Sequence, residues 1–210
     1  MSQDTDHALE RMVFFSDAVF AIAITLLVIE VHVPEVSRTA GDGAYWIALA
    51  RLIPNLVGYF VSFGVIGAFW MGHHRAFALA SRYSPRILSW NLMLLGAVAF
   101  MPFVTAFMAE YAGARVPASL YWSWMLVIAV LNLRVNTLAV APSMRAPTTS
   151  DEDARYIRAR GVATIAASLC ALAVAQFVPF FAPLAMITLP VWRRVLYRPR
   201  RATVAADAAA

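Results

Sequence analysis

The stretch Arg11 to Val31, RMVFFSDAVFAIAITLLVIEV, sets two acids, Asp17 and Glu30, near the ends of an otherwise apolar segment. Between them lie only twelve residues, Ala18 to Ile29, or roughly 18 Å of helix at about 1.5 Å per residue. That is too short to cross about 30 Å of hydrocarbon. Either the segment is a soluble core helix or a signal sequence, or the acids lie within the membrane thickness and are satisfied by groups other than lipid.

Composition decides between these. The chain is 61% hydrophobic and 14% charged, with a mean hydropathy of +0.68, far more apolar than the roughly 45–50% of an average soluble domain. It reads as an integral membrane protein. A cleaved signal is a poor account of the first segment, because the apolar run leads into Glu30-Val31-His32-Val33-Pro34 and not into small residues of the A-x-A kind. The single cysteine, Cys170, excludes an intrachain disulfide and reads as a packing residue.

Six apolar segments follow one another between polar, Pro- or Gly-bearing connections, approximately Met12–Val33, Trp46–Met71, Ile87–Glu110, Ala118–Ala141, Arg160–Val178 and Phe180–Leu196. The last two are short and are divided by Pro179 to Pro183, which predicts a helical hairpin. The expected fold is all-α, six transmembrane helices in a single domain over residues 1–201, with an Ala-rich tail at 202–210.

All 17 basic residues are arginine. Fourteen of them, Arg11, Arg75, Arg82, Arg86, Arg134, Arg145, Arg155, Arg158, Arg160, Arg193, Arg194, Arg198, Arg200 and Arg201, fall on or beside one side of the six-segment plan, against Arg38, Arg51 and Arg115 on the other. The positive-inside tendency therefore puts both termini in the cytoplasm of a multi-pass cell-membrane protein. The net charge of +5 then reflects topology and anionic headgroups. It does not point to nucleic acid, since the arginines border spans and are not gathered on a soluble domain.

On this plan Asp17 lies about one and a half turns inside the cytoplasmic end of the first helix. An ionised Asp at a helix centre costs about 2.5–3.5 kcal/mol on insertion scales and normally faces the protein interior. Ser16 and Asp17 are therefore expected to bond to neighbouring helices, with Trp70, His73 and His74, Trp90 and Asn91, and Asn132 and Asn136 as candidate partners. A polar clamp holding helices together is preferred to direct proton handling.

The pattern Arg11-x-x-x-Phe15-Ser16-Asp17, running into AVFAIAITLLVIEV, resembles the first-helix signature R-x-x-x-F-S-D of the transmembrane protein 175 family of potassium channels. The segment ending Phe69-Trp70-Met71-Gly72-His73-His74-Arg75 is similar to what that family carries, and the length and six-segment plan agree along the whole chain. The resemblance implies a prokaryotic single-repeat form that assembles as a homotetramer, with the first helix of each chain lining a central pore. It further implies that Ile22, Leu26 and Ile29 form the constriction and filter, with Thr25 as an ion-facing polar layer. Beside it, the residues lead to the expectation that Arg11, Ser16, Asp17, Trp70, His73, His74 and Asn91 make up a structural polar network between helices.

The physical reading of the same residues stands beside this. Ile22, Thr25, Leu26 and Ile29 fall at i, i+3, i+4 and i+7, one stripe of a helix. Four copies around an axis make aliphatic rings and one ring of hydroxyls. The bland alternative is that any apolar helix contains such a stripe. No T-V-G-Y-G loop is present, so selectivity for potassium would rest on the cost of stripping water at a hydrophobic constriction. A helical Thr often bonds its own backbone instead of a ligand, which leaves the role of Thr25 open.

Other chemistry is weakly represented. His73 and His74 point about 100° apart on a helix and cannot hold one ion unaided. Asn132 and Asn136 share a face at i, i+4 and are expected to tie the fourth helix to its neighbours. The Thr149-Ser150-Asp151-Glu152-Asp153 run reads as a helix start. With no phosphate loop, Ser-His-Asp set or HExxH motif, the chain is read as a non-enzyme without cofactor, passing K+. A proton-conducting or proton-coupled cation transporter that uses Asp17 and a His as a relay is the alternative.

Overall fold

Proline sets where the helices break. In the computed structural model, which describes residues 2–197, α1 spans Ser2–Leu26, α2 Asp42–Arg51, α3 Ile53–Ala78, α4 Pro85–Ala99, α5 Met101–Glu110, α6 Arg115–Ala139, α7 Asp151–Phe177 and α8 Leu189–Leu196, with a 3₁₀ stretch over Pro179–Thr188. α3, α4, α5, α8 and the 3₁₀ stretch each carry a proline in their first two positions, where the missing N–H has no intrahelical partner to lose. Pro102 thus divides one pass into α4 and α5. Gly113, at φ 85°, turns the chain from α5 into α6 in the left-handed region open to glycine.

Four segments of the described chain are long and apolar enough to cross a membrane: Ile53–Ala78, Pro85–Glu110, Arg115–Ala139 and Asp151–Phe177. α1 and the run from the 3₁₀ stretch through α8 complete an all-helical bundle. Several boundaries differ from those expected. α1 begins at Ser2, so Asp17 sits about 22 Å along it and not one and a half turns in; the polar Gln3-Asp4-Thr5-Asp6 start hid the extension. α7 begins at Asp151, nine residues before Arg160, because the acidic run is itself its first turn. The hairpin partner of α7 is a 3₁₀ stretch broken by Pro183. Arg198, Arg200, Arg201 and the tail at 202–210 lie outside the described residues.

The start of α7 is fixed by a capping box. Ser150 accepts from the Asp153 amide at 3.1 Å, and the Asp153 carboxylate accepts from the Ser150 amide at 3.2 Å. Nearby, the turns after α3 and α6 are stitched together. The Ala146 amide donates to Leu79 O at 2.8 Å and the Ser81 amide to Met144 O at 2.9 Å. Tyr197 donates to Glu152 at 2.9 Å, so the end of α8 and the start of α7 meet. Arg11 and Phe15 of α1 flank one groove with Tyr83 and Leu88. The chain therefore enters and leaves the bundle at the same end.

α6 is the axis of the bundle, with Tyr121, Trp122, Met125 and Ile128 fully buried. α7 packs on it and on the 3₁₀ stretch, and along α7 Ala163, Ala167, Ala171 and Ala175 are buried at every fourth position. Gly161 lies on a different side of α7, against α6, where a Cβ would stand 2.7 Å from Leu133 Cδ1. Across α3, α5 and α6, Thr105 donates to Ser62 Oγ at 2.8 Å, and the Ser62 and Tyr121 hydroxyls share a bond at 2.9 Å.

Candidate functional site

α1 is divided lengthwise into two faces. Met12, Ser16, Phe20, Ala23 and Leu27 recur at intervals of three and four and are at most 4% exposed, packed into the bundle. On the opposite side Phe14, Phe15, Ile22, Leu26 and Ile29 are 71, 52, 57, 40 and 66% exposed, and Thr25 is exposed with them. The four residues expected to share a stripe therefore lie on the unburied side. The helix does not run straight through them. After Leu26 the bonds tighten, with the Val28 amide donating to Thr25 O, Ile29 to Leu26 O at 3.1 Å and Val31 to Val28 O at 3.1 Å. In such turns residues three apart eclipse, so Ile29 stays above Leu26 although it has left the α-helix.

Thr25 Oγ1 donates to Ile22 O at 2.9 Å. Its proton is thus committed to its own backbone, while the oxygen lone pairs remain on the exposed side.

Behind this face, polar residues from three helices form a chain of bonds that all point one way. His73 Nε2 donates to Asn91 Oδ1 at 2.9 Å, Asn91 Nδ2 donates to Ser16 Oγ at 2.8 Å, and Ser16 Oγ donates to Met12 O at 2.7 Å. Since an amide oxygen only accepts, Nε2 carries a hydrogen, and in the neutral ring Nδ1 is then the acceptor nitrogen. That Nδ1 is buried and has no partner among the described residues. The His73 ring packs between Phe20 and Phe77, with centroids at 5.6 and 4.4 Å. Buried amides and hydroxyls in apolar spans are stable only when bonded, and this chain joins α1, α3 and α4.

A second tie runs alongside, in which Trp70 Nε1 donates to Asp17 Oδ1 at 2.8 Å. His74 is exposed and faces the Trp70 ring at 5.6 Å, so the two adjacent histidines part company as their spacing requires. Of the seven residues expected in the network, Ser16, Asp17, Trp70, His73 and Asn91 are brought together by hydrogen bonds and His74 by ring contact. Arg11 is exposed and makes no hydrogen bond among the described residues. Asn132 Nδ2 donates to Phe69 O at 3.4 Å and Asn136 Nδ2 bonds Asn132 Oδ1, which ties α6 to α3. Arg134 lies over the Trp90 ring at 5.4 Å. Among the described residues no group of three or more His, Cys, Asp or Glu is placed to hold a metal ion.

The reading of the sequence did not find the Ser62–Thr105–Tyr121 set. Each member is a single hydroxyl in an apolar span, and only the packing of α3, α5 and α6 reveals that they meet.

Comparison with known proteins places this geometry. The family described as endosomal/lysosomal potassium channel TMEM175 matches residues 11–102. A potassium channel of Chamaesiphon minutus is 43% identical over 126 residues, covering 58% of this chain and 61% of that one; the chain thus spans about three-fifths of that relative's length. An endosomal/lysosomal proton channel TMEM175 of Gallus gallus is 32% identical over 109 residues, covering 49% of this chain and 22% of the relative. The crystal structure of a lysosomal potassium-selective channel TMEM175 homolog from Chamaesiphon minutus superposes with a TM-score of 0.76 at 30% identity, covering 91% of this chain and 100% of that one.

Proposed function

This chain belongs to the TMEM175 family, and on that footing we propose that it is a potassium-preferring channel in which four copies turn the exposed face of α1 toward a shared ion path. The observation that carries the proposal is the division of α1: a large apolar face with a threonine stands free in the single chain, while the other face is locked into the bundle by the Ser16–Asn91–His73 chain. A cyclic assembly repeats each free residue as a ring. Ile22, Leu26 and Ile29 then become three aliphatic rings, narrow enough to dewet when closed and to demand dehydration when open. Potassium, larger and less tightly hydrated than sodium, loses its water at lower cost. Thr25 contributes lone pairs and not its proton, and lone pairs are what a cation accepts. The polar chain has no part in conduction on this account; it fixes the angle and depth of α1 so that the rings align. Both termini lie in the cytoplasm of a prokaryotic cell, as the arginine asymmetry favours.

The test is reconstitution of the purified protein in liposomes with a potassium gradient and a membrane-potential dye. A channel of this kind builds a potassium diffusion potential with weak saturation and without a coupled ion. Proton conduction is the second reading, favoured by the name of the animal relative. A pH-sensitive dye in the same liposomes separates the two: potassium flux without matching acidification supports the first, and acidification without potassium dependence supports the second.

A further inference from the structure

Away from α1, a cavity of about 60 Å³ opens between α3, α6, α7 and α8. Two arginines stand on its wall, Arg160 of α7 and Arg193 of α8, and no aspartate or glutamate lines it. Arg160 lies nine residues into an apolar helix, about 13 Å from its first residue, and is half-buried. The one hydrogen bond of its guanidinium among the described residues runs to Ala68 O at 3.3 Å. Its charged neighbours include Arg193 and a third arginine, Arg75, near the end of α3. Among the described residues, Arg193 Nε is buried without a partner and none of the three forms an ion pair.

Like charges held together inside a membrane domain without a counter-charge are costly, and such residues mark pairing partners or ligands. Guanidinium groups are matched in geometry to a phosphate, which accepts paired N–H bonds. The remaining wall is largely apolar, with Val65, Phe69, Met125, Leu133 and Ile157, a surface that suits acyl chain and not bulk water. We propose that this cavity is a site for a phosphate group, held by Arg160 and Arg193, and that an anionic phospholipid of the surrounding leaflet supplies it. Basic pockets between membrane helices take anionic headgroups by the same chemistry.

The lipid ties α7 and α8 to α3 and so steadies the segment that the 3₁₀ stretch leaves without regular α-helical bonds. The experiment is a thermal-unfolding series on the purified full chain in detergent, titrated with phosphatidylglycerol, with phosphatidylcholine or with inorganic phosphate, for wild type, Arg160→Gln, Arg193→Gln and the distant Arg51→Gln. The expected result is a saturable rise in Tm with phosphatidylglycerol, none with phosphatidylcholine, loss of the rise in Arg160→Gln and Arg193→Gln, and its retention in Arg51→Gln. An equal rise with inorganic phosphate assigns the site to the free anion; its absence assigns it to the lipid. Native mass spectrometry of the wild type covers the case in which Arg160→Gln does not fold: preferential retention of phosphatidylglycerol over phosphatidylcholine supports the site. Equal retention of both lipids, or an undiminished rise in both arginine variants, overturns it.

Discussion

Ser16 does two things at once, donating to Met12 O and accepting from Asn91. Removing its hydroxyl leaves a fully buried amide without an acceptor, a loss of roughly 1–3 kcal/mol. Ser16→Ala should therefore lower the unfolding midpoint and the yield of assembled protein, measured by thermal unfolding and size-exclusion chromatography, and Asp17→Asn should do much less because its Oδ1 still accepts from Trp70. Thr25 makes the contrasting case. Thr25→Val removes the oxygen but not the fold, since its bond lies on the exposed face, so thermal stability should hold while the potassium-to-sodium ratio in liposome flux falls. That Ser16 and Asp17 need partners was legible from an acid and a hydroxyl in an apolar run. Which partners they find was not, because Asn91 and Trp70 lie 75 and 53 residues away and only helix packing chooses among the candidates. The same limit explains Arg11: six residues before Asp17 it is too far round the helix to pair with it and is expected to bond another helix, yet it sits on the exposed face of α1.

At the scale of the element, α1 and α7 show how far periodicity carries. The stripe of Ile22, Thr25 and Leu26 was legible because a helix repeats its faces, but periodicity alone does not say which face is buried; neighbours do. The turn after Leu26 was hidden because Leu27, Val28 and Ile29 read as good span residues. For α7 the acidic run signals a helix start, while hydropathy marks the span only from Arg160 and omits the first nine residues. Its close approach to α6 at Gly161 makes a sharp prediction. Gly161→Val places branched carbon against Leu133, and overpacking of this sort costs about 1–3 kcal/mol, so the variant should unfold at a lower temperature than Gly64→Val, where a Cβ meets nothing within 4 Å. The first turn of α7 also carries a pH dependence. The hydrogen bond and charge of Arg145 hold the Asp151 carboxyl below its ordinary range. A lowered carboxylate pKa stabilises the folded state above the unfolded pKa and loses that contribution as pH falls through the lowered value. Hydrogen exchange at the first amides of α7 should therefore speed up, relative to Arg145→Gln, as the medium is acidified through that range, and the two proteins should converge below it.

For the whole molecule, the apolar segments and their polar connections made an all-helical membrane bundle legible, and the broken passes were partly foretold by their prolines. What the order of segments cannot convey is that α6 becomes the axis, that α1 packs on α3 and α4, and that one side of α1 stays open in the single chain. The central claim is that this open side is the ion path. It is tested most directly by the reversal potential of the reconstituted protein between potassium on one side and sodium on the other, for wild type, Ile22→Ala, Leu26→Ala, Ile29→Ala and Val130→Ala, the last an exposed residue of α6. Shortening an aliphatic ring widens the constriction and weakens the dehydration penalty. The account predicts reversal potentials that move toward zero in the three α1 variants, with assembly intact, and no change in Val130→Ala. Well-assembled Ile22, Leu26 and Ile29 variants that all keep the wild-type reversal potential and current would put the path elsewhere.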